Sequence, residues 1–255
     1  MFPIAQIGPL AVQVPGLLLL AGVWVGVEVA DRWAKRIGVQ PALISNLIFY
    51  ALIGGILGAR LGYVLRFLEL YLEDPLAALA LNPNTLSLPE GVLVAGLVGL
   101  VYGQRNELPF WSTLDALAPA FASFGVALGA AHLASGDAFG QPADVPWAIQ
   151  LWGASRHPTQ LYEIGLAALV LFALWKLRDR RPFPGALILA WVGMYGALLW
   201  LVGGLRGDSV IILGALRRGQ VVGLAMMLMA MLLMHLRARG RLQPAEAQSG
   251  SSTAR

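Results

Sequence analysis

The sequence predicts an all-α polytopic membrane protein of seven transmembrane helices, with its N-terminus outside and its C-terminus in the cytoplasm. Three observations lead there. Of the 255 residues, 58% are hydrophobic and only 13% charged, where an ordinary soluble domain has about a quarter charged. The apolar residues gather in runs of about 17 to 25, the length that crosses a hydrocarbon core of about 30 Å. The cations between those runs are shared unevenly between alternate loops, which sets an orientation.

Six runs are long, at 14–30, 43–67, 114–134, 157–177, 185–202 and 219–236. A seventh, GVLVAGLVGLVY at 91–102, is short, but no charge lies between Glu90 and Arg105, so it is taken as a span extended at both ends, with a re-entrant segment as the alternative. No charge precedes Glu28 and no small-residue cleavage pattern follows the first run, which is therefore expected to stay as a helix. Seven spans place the termini on opposite sides. Arg32, Lys35, Arg36, Arg105, Lys176, Arg178, Arg180, Arg181 and arginines 237, 239, 241 and 255 make twelve cations on one side, against five on the other: Arg66, Arg156, Arg206, Arg217 and Arg218. The richer side is the cytoplasmic one. Residues 1–239 are then one transmembrane domain, and the polar stretch 240–255 a disordered cytoplasmic tail.

Composition also excludes chemistry. Cysteine is absent, which removes disulfides, a thiol nucleophile and Cys-ligated zinc or iron–sulfur clusters. Three histidines are too few for a rich imidazole metal cluster. The net charge of +4 rests on 18 cations, sixteen of them arginine, a residue suited both to phosphate and to an anionic lipid surface. Composition does not separate those partners.

Small residues four apart let helices approach closely in lipid. Gly54, Gly58 and Gly62 have that spacing, as do Gly99 and Gly103, Gly125 and Gly129, and Gly219 and Gly223. They imply a compact bundle. Two outward loops, 69–90 and 135–156, are rich in proline or tryptophan and suit an interfacial lid or short amphipathic segments.

Ionisable residues inside spans cost roughly 2.5 to 3.5 kcal/mol at mid-bilayer and need a partner or a wet cavity. Arg60 and Glu163 are such residues. Each lies six residues from the outer end of its span, about 9 Å deep at 1.5 Å per residue, so the two are expected to form a buried ion pair or to share one polar cavity. Tyr63 lies about a turn from Arg60, while Arg156, Gln160 and Glu163 are spaced for one face of the fifth span. A plainer reading of RHPTQLYE is a helix start, with Pro158 at the first helical position and Gln160 reaching back to an unpaired amide.

GGILGARLGYVL (54–65) and RHPTQLYE (156–163) resemble two signature segments of the bacterial prolipoprotein diacylglyceryl transferases, with weaker likeness in IGPLAV (7–12), GMYGA (193–197) and RRGQ (217–220). The resemblance implies a seven-span enzyme of the cytoplasmic membrane. It would bind phosphatidylglycerol and transfer the diacylglyceryl group to the lipobox cysteine in the signal-peptide region of a preprolipoprotein, releasing glycerol phosphate. It implies neither metal nor other cofactor and no nucleic acid. Arg60, Tyr63, Arg156, Gln160, Glu163, Gly140, Arg206 and Gln220 are the candidate lipid-binding residues, and His132, His157 and Asp137 the candidate catalytic ones. The chain departs from the family pattern at several polar positions. Val94 stands for a histidine, Gly129 for an arginine, His132 for an asparagine, Leu199 and Gly203 for an arginine and a glutamate, and Pro15 for a tyrosine. Gly136, Asp137 and Gly140 follow it. Two other readings are a catalytically inactive paralogue that binds phospholipid or a membrane partner and, with less support, a small transporter, for which no internal repeat is visible.

Overall fold

The computed structural model describes residues 4–7, 10–79, 85–212 and 214–249. In chain order these form β1 (Ile4–Ile7), β2 (Leu10–Gln13), α1 (Val14–Ile37), α2 (Pro41–Arg66), α3 (Leu68–Glu73), a 3₁₀ turn (Pro75–Leu79), α4 (Leu88–Arg105), α5 (Phe110–Ser135), β3 (Ile149–Leu151), β4 (Ala154–Arg156), α6 (Thr159–Leu177), α7 (Ala186–Leu205), β5 (Ile211–Ile212), β6 (Leu216–Arg217) and α8 (Arg218–Ser249). The strands make three antiparallel hairpins, β1 with β2, β3 with β4 and β5 with β6. These short hairpins are an exception to the all-α expectation and lie outside the apolar runs.

Among the described residues six helices are long and apolar enough to cross a membrane: α1, α2, α5, α6, α7 and the Arg218–Arg239 part of α8. The chain is a polytopic membrane protein. The short third run is indeed a helix, α4, extended at both ends to 18 residues, about 27 Å at 1.5 Å per residue. Its glycines, Pro89, Glu90 and Arg105 dilute its apolar character, and it is not among the six. Helix α8 runs past its apolar part to Ser249, over residues where the sequence leads one to expect a disordered tail; 250–255 lie outside the described residues.

The chain divides into two compact units, one of Asp31–Thr113 and one of Met1–Ala30 with Leu114–Arg255. In the Asp31–Thr113 unit, Gly38 ends α1 in a left-handed conformation (φ 83°), Val39 N–H bonds back to Ala34 O at 2.9 Å, and Pro41 starts α2. Ser45 Oγ bonds both carboxylate oxygens of Asp31 at 2.7 Å. Helices α2 and α4 then pack antiparallel along the expected glycine row. A Cβ on Gly54 would lie 2.7 Å from Val98 Cγ2, one on Gly58 2.5 Å from Val94 Cβ, and one on Gly62 2.6 Å from Glu90 Cβ. Only glycine permits that approach, which replaces the missing hydrophobic force with dense contact.

The other unit repeats the device. The α7–α8 contact is built on Gly196, Gly203, Gly219 and Gly223, with a Cβ on Gly203 3.1 Å from Gln220 N. Its core gathers Ala167, Leu198 and Val202, with Val126, Tyr162, Leu166, Tyr195 and Leu199 around them. Outward faces are apolar instead: Trp24 is 76% exposed and Leu57 61%, an inversion expected only where lipid is the solvent.

Candidate active site

RHPTQLYE does open a helix, but later than spacing suggests. Arg156 ends strand β4, Pro158 caps and α6 starts at Thr159. Arg156 is therefore not on the helical face of Gln160 and Glu163, a correction caused by pairing of this segment with 141–143: His157 N–H bonds Gln141 O at 3.1 Å and Ala143 N–H bonds Ser155 O at 3.0 Å. The fully buried Thr159 and Gln160 donate from Oγ1 and Nε2 to the carbonyls of Ala138 (2.6 Å) and Asp137 (2.9 Å). Gln160 thus ties the 137–140 loop to α6 instead of reaching back to an amide of its own helix. Gly140 is fixed by contact, because a Cβ there would strike the His157 carbonyl. Gln141 N–H and Gly207 N–H join the same loop to the end of α7, through Leu205 O and Phe139 O, both at 2.8 Å.

Above this floor, Glu163 of α6 meets His132 of α5. His132 Nδ1 lies 2.8 Å from Glu163 Oε2, with the side chains 23% and 7% exposed. Helix approach makes the contact: a Cβ on Gly129 would lie 2.8 Å from Ile164 Cγ1, 3.0 Å from Ile164 N and 3.4 Å from Glu163 Cγ. Tyr195 and Arg206 are within electrostatic reach of Glu163, and Asp137 within that of Arg206.

Arg60 is engaged elsewhere. Its Nε donates to Ala78 O (2.9 Å), its Nη2 to Ala77 O (2.5 Å) and its Nη1 to Thr85 Oγ1 (2.5 Å) and O (3.2 Å), and Tyr71 lies under the guanidinium at 5.2 Å. Arg60 and Glu163 are thus each bonded within their own unit. Tyr63, expected beside Arg60, lies against the Phe67 ring, tilted at 43° with the centroids 4.7 Å apart.

Five candidates remain, each with its own surroundings. Arg156 donates to Leu151 O (3.0 Å) and Gly140 O (3.2 Å) and covers the Phe139 ring. Arg206 donates twice to Asp208, at 2.9 and 2.8 Å. Those bonds raise the Arg206 pKa; burial works against the Asp208 charge, but Arg206 outweighs it and holds the Asp208 carboxyl below its ordinary value. Gln220 Oε1 accepts from Arg217 N–H at 3.1 Å, while Arg217 Nη1 reaches Ser209 O at 2.9 Å. His157 stands apart from Glu163, with its Nδ1 3.4 Å from the Tyr162 hydroxyl, which accepts from Trp147 Nε1 at 2.6 Å. Asp137 is exposed. Among the described residues no group of three or more His, Cys, Asp or Glu could hold a metal.

One organising residue escapes sequence reasoning. Asp115, fully buried, accepts from the N–H groups of Gly185 (2.7 Å), Leu187 (2.9 Å) and Ile188 (3.0 Å) at the start of α7, with Arg181 Nε 3.5 Å away. The available signal was a lone acid in the first turn of an apolar run; its partners lie some 70 positions on, beyond any local pattern.

With this geometry in place, the comparisons are decisive. The pattern of the prolipoprotein diacylglyceryl transferase family matches residues 3–236. The chain belongs to that family. It is similar to the phosphatidylglycerol–prolipoprotein diacylglyceryl transferase of Finegoldia magna, at 32% identity over 220 residues, 86% of this chain and 88% of that protein. It is similar also to those of Bordetella avium, at 34% over 254 residues covering 93% and 95%, and Vibrio atlanticus, at 30% over 241 residues covering 90% and 88%. At four positions where the resemblance implies a polar residue, the residues present serve packing. Val94 fills the space over Gly58, Gly129 admits α6, Gly203 admits α8, and Leu199 joins the apolar core. Each position is now packing.

Proposed function

We propose that this chain transfers the diacylglyceryl group of phosphatidylglycerol to the lipobox cysteine of preprolipoproteins, the lipid-attachment step of lipoprotein biosynthesis, at the bacterial cytoplasmic membrane. The observation that carries this reading is family membership over residues 3–236. The arginine asymmetry between loops supports seven spans, α4 included, with the N-terminus outside and the C-terminus cytoplasmic.

The chemistry makes three demands. A phosphoglycerol leaving group needs positive charge, the incoming thiol must lose a proton, and the acyl chains must enter sideways from lipid. Arg60 and Arg156 suit the first. Their bonds go to carbonyls or a hydroxyl, which orient a guanidinium without cancelling its charge. Arg206, Tyr63, Gln160, Glu163, Gly140 and Gln220 complete the candidate lipid-binding set, and His132, His157 and Asp137 are the candidates for proton transfer. The apolar outward faces suit the third demand. No metal or other cofactor is needed for a displacement of this kind.

A second reading is favoured by the packed departures at Val94, Gly129, Leu199 and Gly203: a paralogue that binds phospholipid or a membrane partner without catalysis. Purified protein incubated with phosphatidylglycerol and a lipobox peptide decides between them. The transferase reading expects a mass increase of one diacylglyceryl group on the peptide cysteine; binding of the lipid with no such product gives the second reading.

A further inference from the structure

Resting on the transferase reading, we infer that His132 and Glu163 form an acid–base dyad, in which His132 Nε2 takes the proton of the substrate thiol and Glu163 is a positioning residue. The family resemblance implies a histidine where Val94 stands and an arginine where Gly129 stands, so a proton acceptor must come from elsewhere. Val94 packs on Gly58 and carries no group that can take a proton. Gly129 has the opposite effect: its missing side chain lets the first turns of α6 come against α5, and this brings Glu163 within 2.8 Å of His132 Nδ1. The loss of the arginine and the gain of the dyad are thus one structural change.

The chemistry of the pair is suited to the task. A nearly buried carboxylate on Nδ1 fixes the ring orientation and the tautomer that carries its proton on Nδ1, leaving Nε2 with its lone pair. No hydrogen bond among the described residues uses Nε2. A neutral imidazole is a competent general base for a thiol that loses its proton as the sulfur attacks. The thiol proton passes to Nε2, the sulfur forms its bond to the glyceryl carbon, the bond from that carbon to the phosphate oxygen breaks, and its electron pair leaves on glycerol phosphate. The imidazolium then returns its proton to that phosphate or to water. Tyr195 of α7 and Arg206 at its end also act on Glu163, with Asp137 beyond Arg206. These are the other ionisable groups facing the pair.

The test uses full-length protein in phosphatidylglycerol bilayer discs with a lipobox peptide, following thioether formation from about pH 5 to 9. His132→Ala is expected to lose 10²- to 10⁴-fold in kcat/KM, the range of a positioned acid–base group, and to regain part of it with added imidazole. Glu163→Gln is expected to lower kcat more than it raises KM and to move the limb of the pH profile. If His132→Ala does not fold, His132→Gln replaces it and is expected to fold without activity. A His132 variant within twofold of wild type, with an unchanged pH limb, overturns the dyad while leaving the transferase reading standing. A wild-type chain that forms no thioether overturns both.

Discussion

Asp115 shows how much a single buried carboxylate can organise. It accepts three backbone N–H groups at the start of α7, amides that have no partner within their own helix. Alanine there would remove the charge and leave those donors buried. Asp115→Ala is expected to lower stability by roughly 2 to 4 kcal/mol, combining a lost cap with unsatisfied amides. Asp115→Asn, which keeps one acceptor oxygen, is expected to cost less. Thermal unfolding in detergent, with both variants compared to wild type, checks the order; equal melting temperatures for all three would show that solvent satisfies these amides without the carboxylate. Gln160 carries the same lesson in smaller form, because its fully buried amide holds a loop carbonyl and not a helix amide.

At the scale of elements, close approach decides what residue types mean. The glycine row of α2 was legible in the sequence as a packing surface, since spacing of four is a local property. Its partner row of Val98, Val94 and Glu90 on α4 was not, because nothing local names the facing helix. Gly58→Ala should therefore cost about 1 to 3 kcal/mol, the usual cost of overpacking, because the added methyl would meet Val94 at 2.5 Å. Adding Val94→Ala to Gly58→Ala is expected to recover most of that loss, as a double-mutant cycle on unfolding would register; strictly additive losses would mean that the two residues do not share the contact. The start of α6 makes a similar point. RHPTQLYE reads as a helix start, but the pairing that keeps Arg156 out of the helix runs to Ile149 and, through an isolated bridge, to Pro142, fourteen residues earlier.

For the whole molecule, the orientation proposed from the count of cations is open to direct measurement. The absence of cysteine gives a silent background for labelling. Gln150→Cys, in the β3–β4 hairpin, is expected to react with a membrane-impermeant maleimide on intact spheroplasts. Asp179→Cys, after α6 and 75% exposed at its side chain, is expected to react only after permeabilisation. The reverse pattern would invert the topology and place the His132 end of α5 on the cytoplasmic side, where a translocated lipobox cysteine does not arrive.

The sequence by itself determined that this protein lives in a membrane, where its long apolar helices run, which glycines serve packing, and to which family it belongs. Those properties are written in composition, period and short motifs, all local along the chain. Only the tertiary structure decided who pairs with whom: that Glu163 meets His132, that Arg60 is held by loop carbonyls, that Asp115 caps α7, and that Val94 and Gly129 are packing positions. The reason is geometric. Spacing sets the depth and face of a side chain, but a hydrogen bond requires its partner within about 3 Å, and in lipid that distance is set by how closely glycine lets two distant helices approach.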